Sequence, residues 1–78
     1  MQHTIKYFGM LVEATSKNEE QLQTEICSVA QLIQQLEHRY PKLNEKNFKV
    51  AIDQQLVDND FIIKDRAEIA LLPPFAGG

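Results

Sequence analysis

The sequence contains one cysteine, no tryptophan and only three glycines among its 78 residues. Because Cys27 has no second cysteine to pair with, an intramolecular disulfide is excluded, which is typical of proteins in a reducing compartment. Basic residues are not in excess, and the net charge of −3 argues against a nucleic-acid partner. No apolar run is long enough to span a membrane, and the N-terminus has no signal-like region. These absences favour a small cytoplasmic protein that binds neither membranes nor nucleic acid.

Groups that could perform chemistry are also sparse. His3 and His38 lie on different predicted elements, with no cysteine or carboxylate at metal-ligand spacing, so no metal site is expected. Cys27 precedes a predicted helix start, which could lower its pKa, but a small buried residue is the favoured interpretation. The glycines do not form a phosphate-binding loop. The body of the chain is therefore predicted to have no complete active site and no permanently bound cofactor.

Hydrophobic periodicity predicts one main helix. Ser28 and Gln31 form the Ser-x-x-Gln pattern of a capping box, apolar residues then recur at helical spacing, and Pro41 ends the pattern. Alternating and β-branched segments predict strands, whereas the polar residues 13–21 are predicted as a loop and 42–47 are a polar stretch between the helix and the next strand. The predicted strands are 3–8, 22–27, 48–52, 56–57 and 68–72, with 61–63 returning to the core.

This order of elements predicts an α+β domain. Hairpins that flank one amphipathic helix bury their apolar surface when the helix packs across one face of the sheet. The familiar fold with this order is the β-grasp, a mixed sheet packed against one main helix. We expect residues 1–72 to form that domain and residues 73–78 to form a flexible C-terminal tail.

The tail reads Pro-Pro-Phe-Ala-Gly-Gly over residues 73–78. Because proline has no backbone N–H, the last strand cannot continue its pairing and the chain must leave the sheet. Phe75 supplies one apolar anchor, and Ala76, Gly77 and Gly78 are small enough to thread a narrow channel. The tail is therefore interpreted as presenting its carboxylate to another protein's active site. The alternative is a frayed terminus. It would explain the glycines but not the stiff Pro-Pro segment at the start of the tail or Phe75.

Three features together resemble one known family: the strand order, the Asp-Gln-Gln-Leu-Val segment at 53–57, and the Leu-Pro-Pro-Phe-Ala-Gly-Gly ending. They resemble the small, sulfur-carrying subunit of molybdopterin synthase, a ubiquitin-like β-grasp family. The resemblance covers essentially the whole chain, and the Pro-Pro-x-x-Gly-Gly ending is its most specific part.

The resemblance implies a carrier cycle in molybdenum cofactor biosynthesis. An adenylyltransferase of the ubiquitin-activating type would use ATP to adenylate the Gly78 carboxylate, and a sulfur donor protein would convert it to a thiocarboxylate (1-thioglycine). The tail would then deliver sulfur to cyclic pyranopterin monophosphate in the large catalytic subunit. In the family this synthase is a heterotetramer, in which the small subunit donates sulfur without an active site of its own.

A docking patch beside the tail is also predicted. Strand alternation predicts that Phe8 and Leu72 lie on the face of the sheet opposite the helix. Because the first and last strands are neighbours in a β-grasp sheet, the two side chains are expected close together where the tail departs. Leu56 matches a further apolar position of that surface in the family. The alternative is that loops cover these side chains. The remaining predicted partner-binding residues belong to the tail: Pro73, Pro74, Phe75 and Ala76.

Two local departures from the family pattern are visible. The turn before the last strand reads Asp-Arg-Ala-Glu at 65–68 instead of Asp-Gly-Asp-Glu, which predicts a different turn conformation. Residues 12–13 are Val-Glu where the family often has Arg-Glu.

Other functions remain open on the sequence alone. One is a sulfur carrier for another product, such as the thiazole of thiamine. A second is a ubiquitin-like modifier that is joined through Gly78 to lysines of target proteins. A third is a plain binding domain with an accidental Gly-Gly ending. Thiocarboxylate on the free protein would favour a carrier, and isopeptide-linked adducts would favour a modifier.

Overall fold

In the computed structural model of the protein, the structure describes residues 2–25 and 28–74. These ranges contain five strands, two α-helices and one 3-10 helix. In chain order they are β1 (Gln2–Tyr7), α1 (Met10–Thr15), β2 (Glu19–Gln23), α2 (Val29–Arg39), the 3-10 helix (Pro41–Glu45), β3 (Lys49–Ile52), β4 (Gln55–Val57) and β5 (Glu68–Leu72).

The strands form one mixed sheet with the order β2-β1-β5-β3-β4. The central strands β1 and β5 are parallel, and all other neighbouring strands are antiparallel. The buried residues of α2 join those of the sheet in one apolar cluster, so α2 covers one face. The α+β fold that the sequence predicts, a β-grasp with one main helix, is confirmed.

Helix α2 begins and ends as its sequence indicates. The Ser28 side chain accepts a hydrogen bond from the Gln31 N–H at 3.2 Å, and the Gln31 side chain accepts one from the Ser28 N–H at 3.1 Å. Tyr40 ends the helix, and Pro41 starts the 3-10 helix. Leu43 of that short helix is fully buried, which the polar composition of 42–47 does not reveal.

The prediction for residues 13–27 is wrong in two places. Residues 13–21 are not a loop, because they contribute to α1 and to the start of β2. The second strand is Glu19–Gln23, earlier than predicted, and residues 26–27 of the predicted strand lie outside the described residues. This strand is polar because it lies at the sheet edge, where its order comes from pairing with β1 and where only Leu22 is buried.

The prediction for 61–63 is wrong in part. Ile63 is buried, but Phe61 and Ile62 are 41% and 61% exposed. Their segment crosses the start of α2, where the Val29 N–H donates to the Phe61 carbonyl at 3.0 Å. Backbone pairing fixes this segment while its first two side chains face outward.

Three turns in the described residues use left-handed backbone without glycine, and the first of them is at Ser16, which ends α1 with a φ of 63°. Asp53 and Gln54 connect β3 to β4 with φ values of 50° and 73°, as a tight hairpin requires. Arg66 has a φ of 61°, in the region that glycine favours. The change of conformation expected at the Asp-Arg-Ala-Glu turn is therefore not seen at Arg66.

Candidate partner-binding face and tail exit

The face of the sheet opposite α2, here called the helix-free face, is flat at its centre. Ala51 of β3 pairs with Ala70 of β5 on one side and with Leu56 of β4 on the other. Because directly paired residues of adjacent strands share a face, these three side chains lie in one row. Leu56 is 61% exposed, whereas Ala51 is buried. The row offers an apolar surface without a deep cavity.

Phe8 and Leu72 lie at the end of this face where the last strand finishes. They directly follow Tyr7 and Leu71, which are register partners in the parallel β1–β5 pair. Tyr7 and Leu71 are buried, but Phe8 is 43% exposed and Leu72 is partly exposed. The structure therefore leaves both side chains accessible beside the same strand end.

The chain leaves the sheet against Gly9. A Cβ atom on Gly9 would lie only 3.1 Å from Pro73 Cγ, so the missing side chain makes room for the proline ring. Gly9 also has a φ of 60°, which glycine adopts at little cost. Pro73 is partly exposed and Pro74 is exposed. The first turn of α1 and the end of β1 thus set where the tail starts.

The two lysines near the tail exit, Lys6 and Lys49, differ in whether they form an ion pair. Lys6 and Glu68 face each other on the helix-free face with an Nζ–O distance of 3.7 Å, an exposed pair that contributes little stability. Lys49 is the register partner of Leu72, so the two residues lie side by side at the end of the sheet. Within the described residues no ion pair includes Lys49. Its charge is available to a partner that binds at the exit.

A polar cluster around Glu20 connects β1, β2 and the end of α2. Glu20 accepts hydrogen bonds from the hydroxyls of Tyr7 at 2.5 Å and Tyr40 at 2.7 Å, and it pairs with Arg39 at 3.2 Å and Lys17 at 3.4 Å. Burial works to raise the pKa of Glu20, but the hydrogen bonds from Tyr7 and Tyr40 and the charge and hydrogen bond of Lys17 hold it below its usual value. Burial and the bond to Glu20 raise the pKa of Tyr7. The donors of the cluster all surround the Glu20 carboxylate, so its role is to anchor β2 and the end of α2 to β1.

The two histidines occupy different environments. His3 is buried, its Nδ1 accepts a hydrogen bond from the Ala67 N–H at 3.3 Å, and its Nε2 has no partner among the described residues. Burial lowers the pKa of His3 even though Asp65 acts in the opposite direction. His38 is exposed on α2. In residues 2–25 and 28–74, no three His, Cys, Asp or Glu side chains are grouped so that they could hold a metal ion.

Four predicted site residues, Phe75, Ala76, Gly77 and Gly78, lie outside the described residues, as does Cys27, for which a buried structural position was predicted. The others, Phe8, Leu56, Leu72, Pro73 and Pro74, are all at least partly exposed. Their role in partner binding stays a prediction. No helix in the described part of the chain is both long and apolar enough to cross a membrane.

Sequence reasoning overlooked two features of this surface. Met10, next to the exit, is 48% exposed and extends the apolar area around Phe8. The flat centre depends on alanines at 51 and 70, and the signal for it was available: alanine at outward positions of two strands leaves a sheet face open to close approach.

Comparison with known proteins gives a consistent family. The sequence profile of the ThiS family matches residues 5–78, nearly the whole chain. The chain is also similar to the molybdopterin synthase sulfur carrier subunit of Mycobacterium tuberculosis, with 30% identity over 79 residues that cover 95% of this chain and 94% of the relative.

Solved structures share the fold. The putative molybdopterin converting factor subunit 1 of Pyrococcus furiosus superposes with a TM-score of 0.88 at 22% identity, covering 96% of this chain and 99% of that one. The small archaeal modifier protein 1 of Methanosarcina acetivorans gives 0.79 at 24% identity, covering 99% and 96%. A chain from the complex of subunits 1 and 2 of the Helicobacter pylori molybdopterin-converting factor gives 0.71 at 21% identity over the full length of both chains.

Proposed function

The chain belongs to the ThiS family, and from that premise we propose that it is the sulfur carrier for molybdenum cofactor biosynthesis. The curated relative with 30% identity is named as the sulfur carrier subunit of molybdopterin synthase. The observation that carries the proposal is the tail exit: the last strand ends beside exposed Phe8 and Leu72, and the two prolines that follow lead away from the sheet.

The reacting group is the Gly78 carboxylate. A carboxylate is a poor electrophile, so an adenylyltransferase of the ubiquitin-activating type first joins it to the α-phosphate of ATP and releases pyrophosphate. A persulfide sulfur of the donor protein then attacks the acyl carbon, and AMP leaves. A thiol that cleaves the resulting acyl disulfide completes the thiocarboxylate. ATP is thus a substrate of the activating enzyme and not a cofactor of this chain.

The recipient is the large catalytic subunit of molybdopterin synthase. The tail enters that subunit's active site and transfers sulfur to cyclic pyranopterin monophosphate, and two rounds supply the dithiolene of molybdopterin. The helix-free face, with Phe8, Leu72 and Leu56, rests on the large subunit while Pro73 to Ala76 line the entrance. Such pairing accords with the Helicobacter pylori protein, which was solved as a complex of its two subunits. We propose that this chain and its large subunit form a heterotetramer in the cytoplasm.

The test is the intact mass of the protein after incubation with ATP, a sulfur donor and the activating enzyme. Sulfur carriage predicts a mass gain equal to the exchange of one oxygen for one sulfur at the C-terminus. A variant with one residue added after Gly78 should fold normally and show no gain, because its Gly78 carbonyl is an amide. Gly77→Val should load poorly, because a β-branched side chain stiffens and widens the tail. Normal loading of the extended variant would refute carriage by Gly78.

Two alternatives use the same tail. The ThiS family match is equally compatible with a carrier for another product, such as the thiazole of thiamine. The fold shared with a small archaeal modifier protein keeps a ubiquitin-like modifier open. Isopeptide-linked adducts of Gly78 in cell extracts, without thiocarboxylate on the free protein, would select the modifier.

A further inference from the structure

The segment between β4 and β5 displays an aromatic side chain that the proposed function does not use. Phe61 is 41% exposed, although the sequence pattern places it in the core. With Leu56 of β4 it borders an open recess of about 500 Å³ at the edge of the sheet. We call this recess, formed by Leu56, Phe61, Asp58 and Asp60, the β4-edge recess.

The backbone beneath this recess is held in place. The Phe61 N–H donates to the Asp58 carbonyl at 3.1 Å, which closes a turn. The carbonyls of Phe61 and Asn59 accept hydrogen bonds from Val29 and Ala30 at the start of α2, both at 3.0 Å. Because the backbone is already ordered, binding at Phe61 would cost little conformational entropy. Exposed aromatic residues on rigid supports are the kind that anchor protein interfaces.

The charge of the recess limits what could bind there. Asp58 and Asp60 lie at its rim, and within residues 2–25 and 28–74 no ion pair includes either carboxylate. A second copy of this chain would bring like charges together, which is unfavourable. An anionic lipid surface is disfavoured for the same reason. A protein segment with an apolar side chain flanked by lysine or arginine matches both the apolar walls and the acidic rim.

We propose that the β4-edge recess binds such a basic, apolar segment of the protein that receives the tail. The inference rests on the proposed function, under which that protein is the large synthase subunit. Leu56 belongs both to the helix-free face and to the recess, so the two surfaces are continuous. The partner therefore contacts the carrier at two places, the helix-free face beside the tail and the β4-edge recess. The contact at the recess adds specificity through charge.

Calorimetric titration of the large subunit with the full-length chain, at low and high salt, tests this assignment. Phe61→Ala should weaken binding about tenfold, the loss expected for a truncated interface anchor. The double variant Asp58→Asn/Asp60→Asn should weaken binding mainly at low salt and should flatten its salt dependence. Two matched controls should bind normally: Ile62→Ala, a more exposed neighbour that does not border the recess, and Glu45→Gln, an exposed carboxylate of the 3-10 helix.

The outcomes separate this inference from the proposed function. If the wild type binds but Phe61→Ala and the double aspartate variant behave like their controls, the recess is not a contact. If Phe61→Ala unfolds, the salt dependence of the double variant decides alone, since neither aspartate side chain is hydrogen bonded within the described structure. A wild-type chain that neither binds the large subunit nor accepts sulfur would overturn the proposed function and the recess together.

Discussion

The two faces of the sheet are built from the same strands but differ in what covers them. In β5, Ile69 and Leu71 are fully buried under α2, whereas the alternate residues Ala70 and Leu72 stay partly exposed on the helix-free face. Both faces carry apolar side chains, although the helix-free face also carries polar ones such as Lys6 and Glu68. Cover by α2 makes one face a core, and its absence leaves the other available to a partner beside the tail.

The two faces also differ in shape. Large residues such as Ile5 and Leu71 interdigitate with α2 on the covered face. The helix-free face instead has Ala51 and Ala70 at its centre and places its large side chains, Phe8 and Leu56, toward the periphery. A flat centre with apolar margins allows close approach of another protein. The comparison predicts that mutations on one face change stability and mutations on the other change binding.

The largest expected effect comes from adjacent leucines of β5. Leu71→Ala should lower the free energy of unfolding by about 2–5 kcal/mol, because it leaves a cavity under α2. Leu72→Ala should cost less than about 1 kcal/mol, because its side chain is already partly in water. Urea denaturation of the two variants measures both values. Equal losses in the free energy of unfolding for the two variants would contradict the conclusion that α2 covers one face and leaves the other exposed.

The next effect concerns binding. Phe8→Asp should weaken binding to the large synthase subunit by roughly 2 kcal/mol or more, since it places a charge in a desolvated contact, while the chain stays folded. Gln21→Asp is the control, because it adds the same charge to the same face on β2, away from the tail. Calorimetric titration gives the affinities. If Phe8→Asp unfolds the chain and the folded fraction binds normally, Phe8 belongs to the core.

The smallest effect is a pH dependence of the covered face. Burial lowers the pKa of His3, so below the ordinary value near 6.5 the unfolded chain binds a proton that the folded chain does not. The free energy of unfolding should therefore fall as the pH drops below about 6.5. His3→Gln should reduce this slope, and His38→Gln, at an exposed position, should leave it unchanged. Identical slopes for the wild type and His3→Gln would contradict the assignment.

Local sequence signals predicted much of the fold. The Ser28 and Gln31 capping box lies within one helical turn, so its residues specify the helix start without help from the rest of the chain. Alternation in β5 likewise predicted which side chains face α2. Edge strand β2 was misplaced because pairing with β1, rather than an apolar pattern, holds it in the sheet.

The sequence by itself determined the main helix and the alternation of the central strands, because each of these depends on residues close together in the chain. The tertiary structure showed that β1 and β5 pair in parallel, with Tyr7 opposite Leu71, which local patterns do not specify and which the position expected for Phe8 near Leu72 requires. It also decided that Phe61 is exposed, although its sequence resembles that of a core segment. Burial depends on which distant element covers a side chain, and local periodicity carries no information about that distant partner.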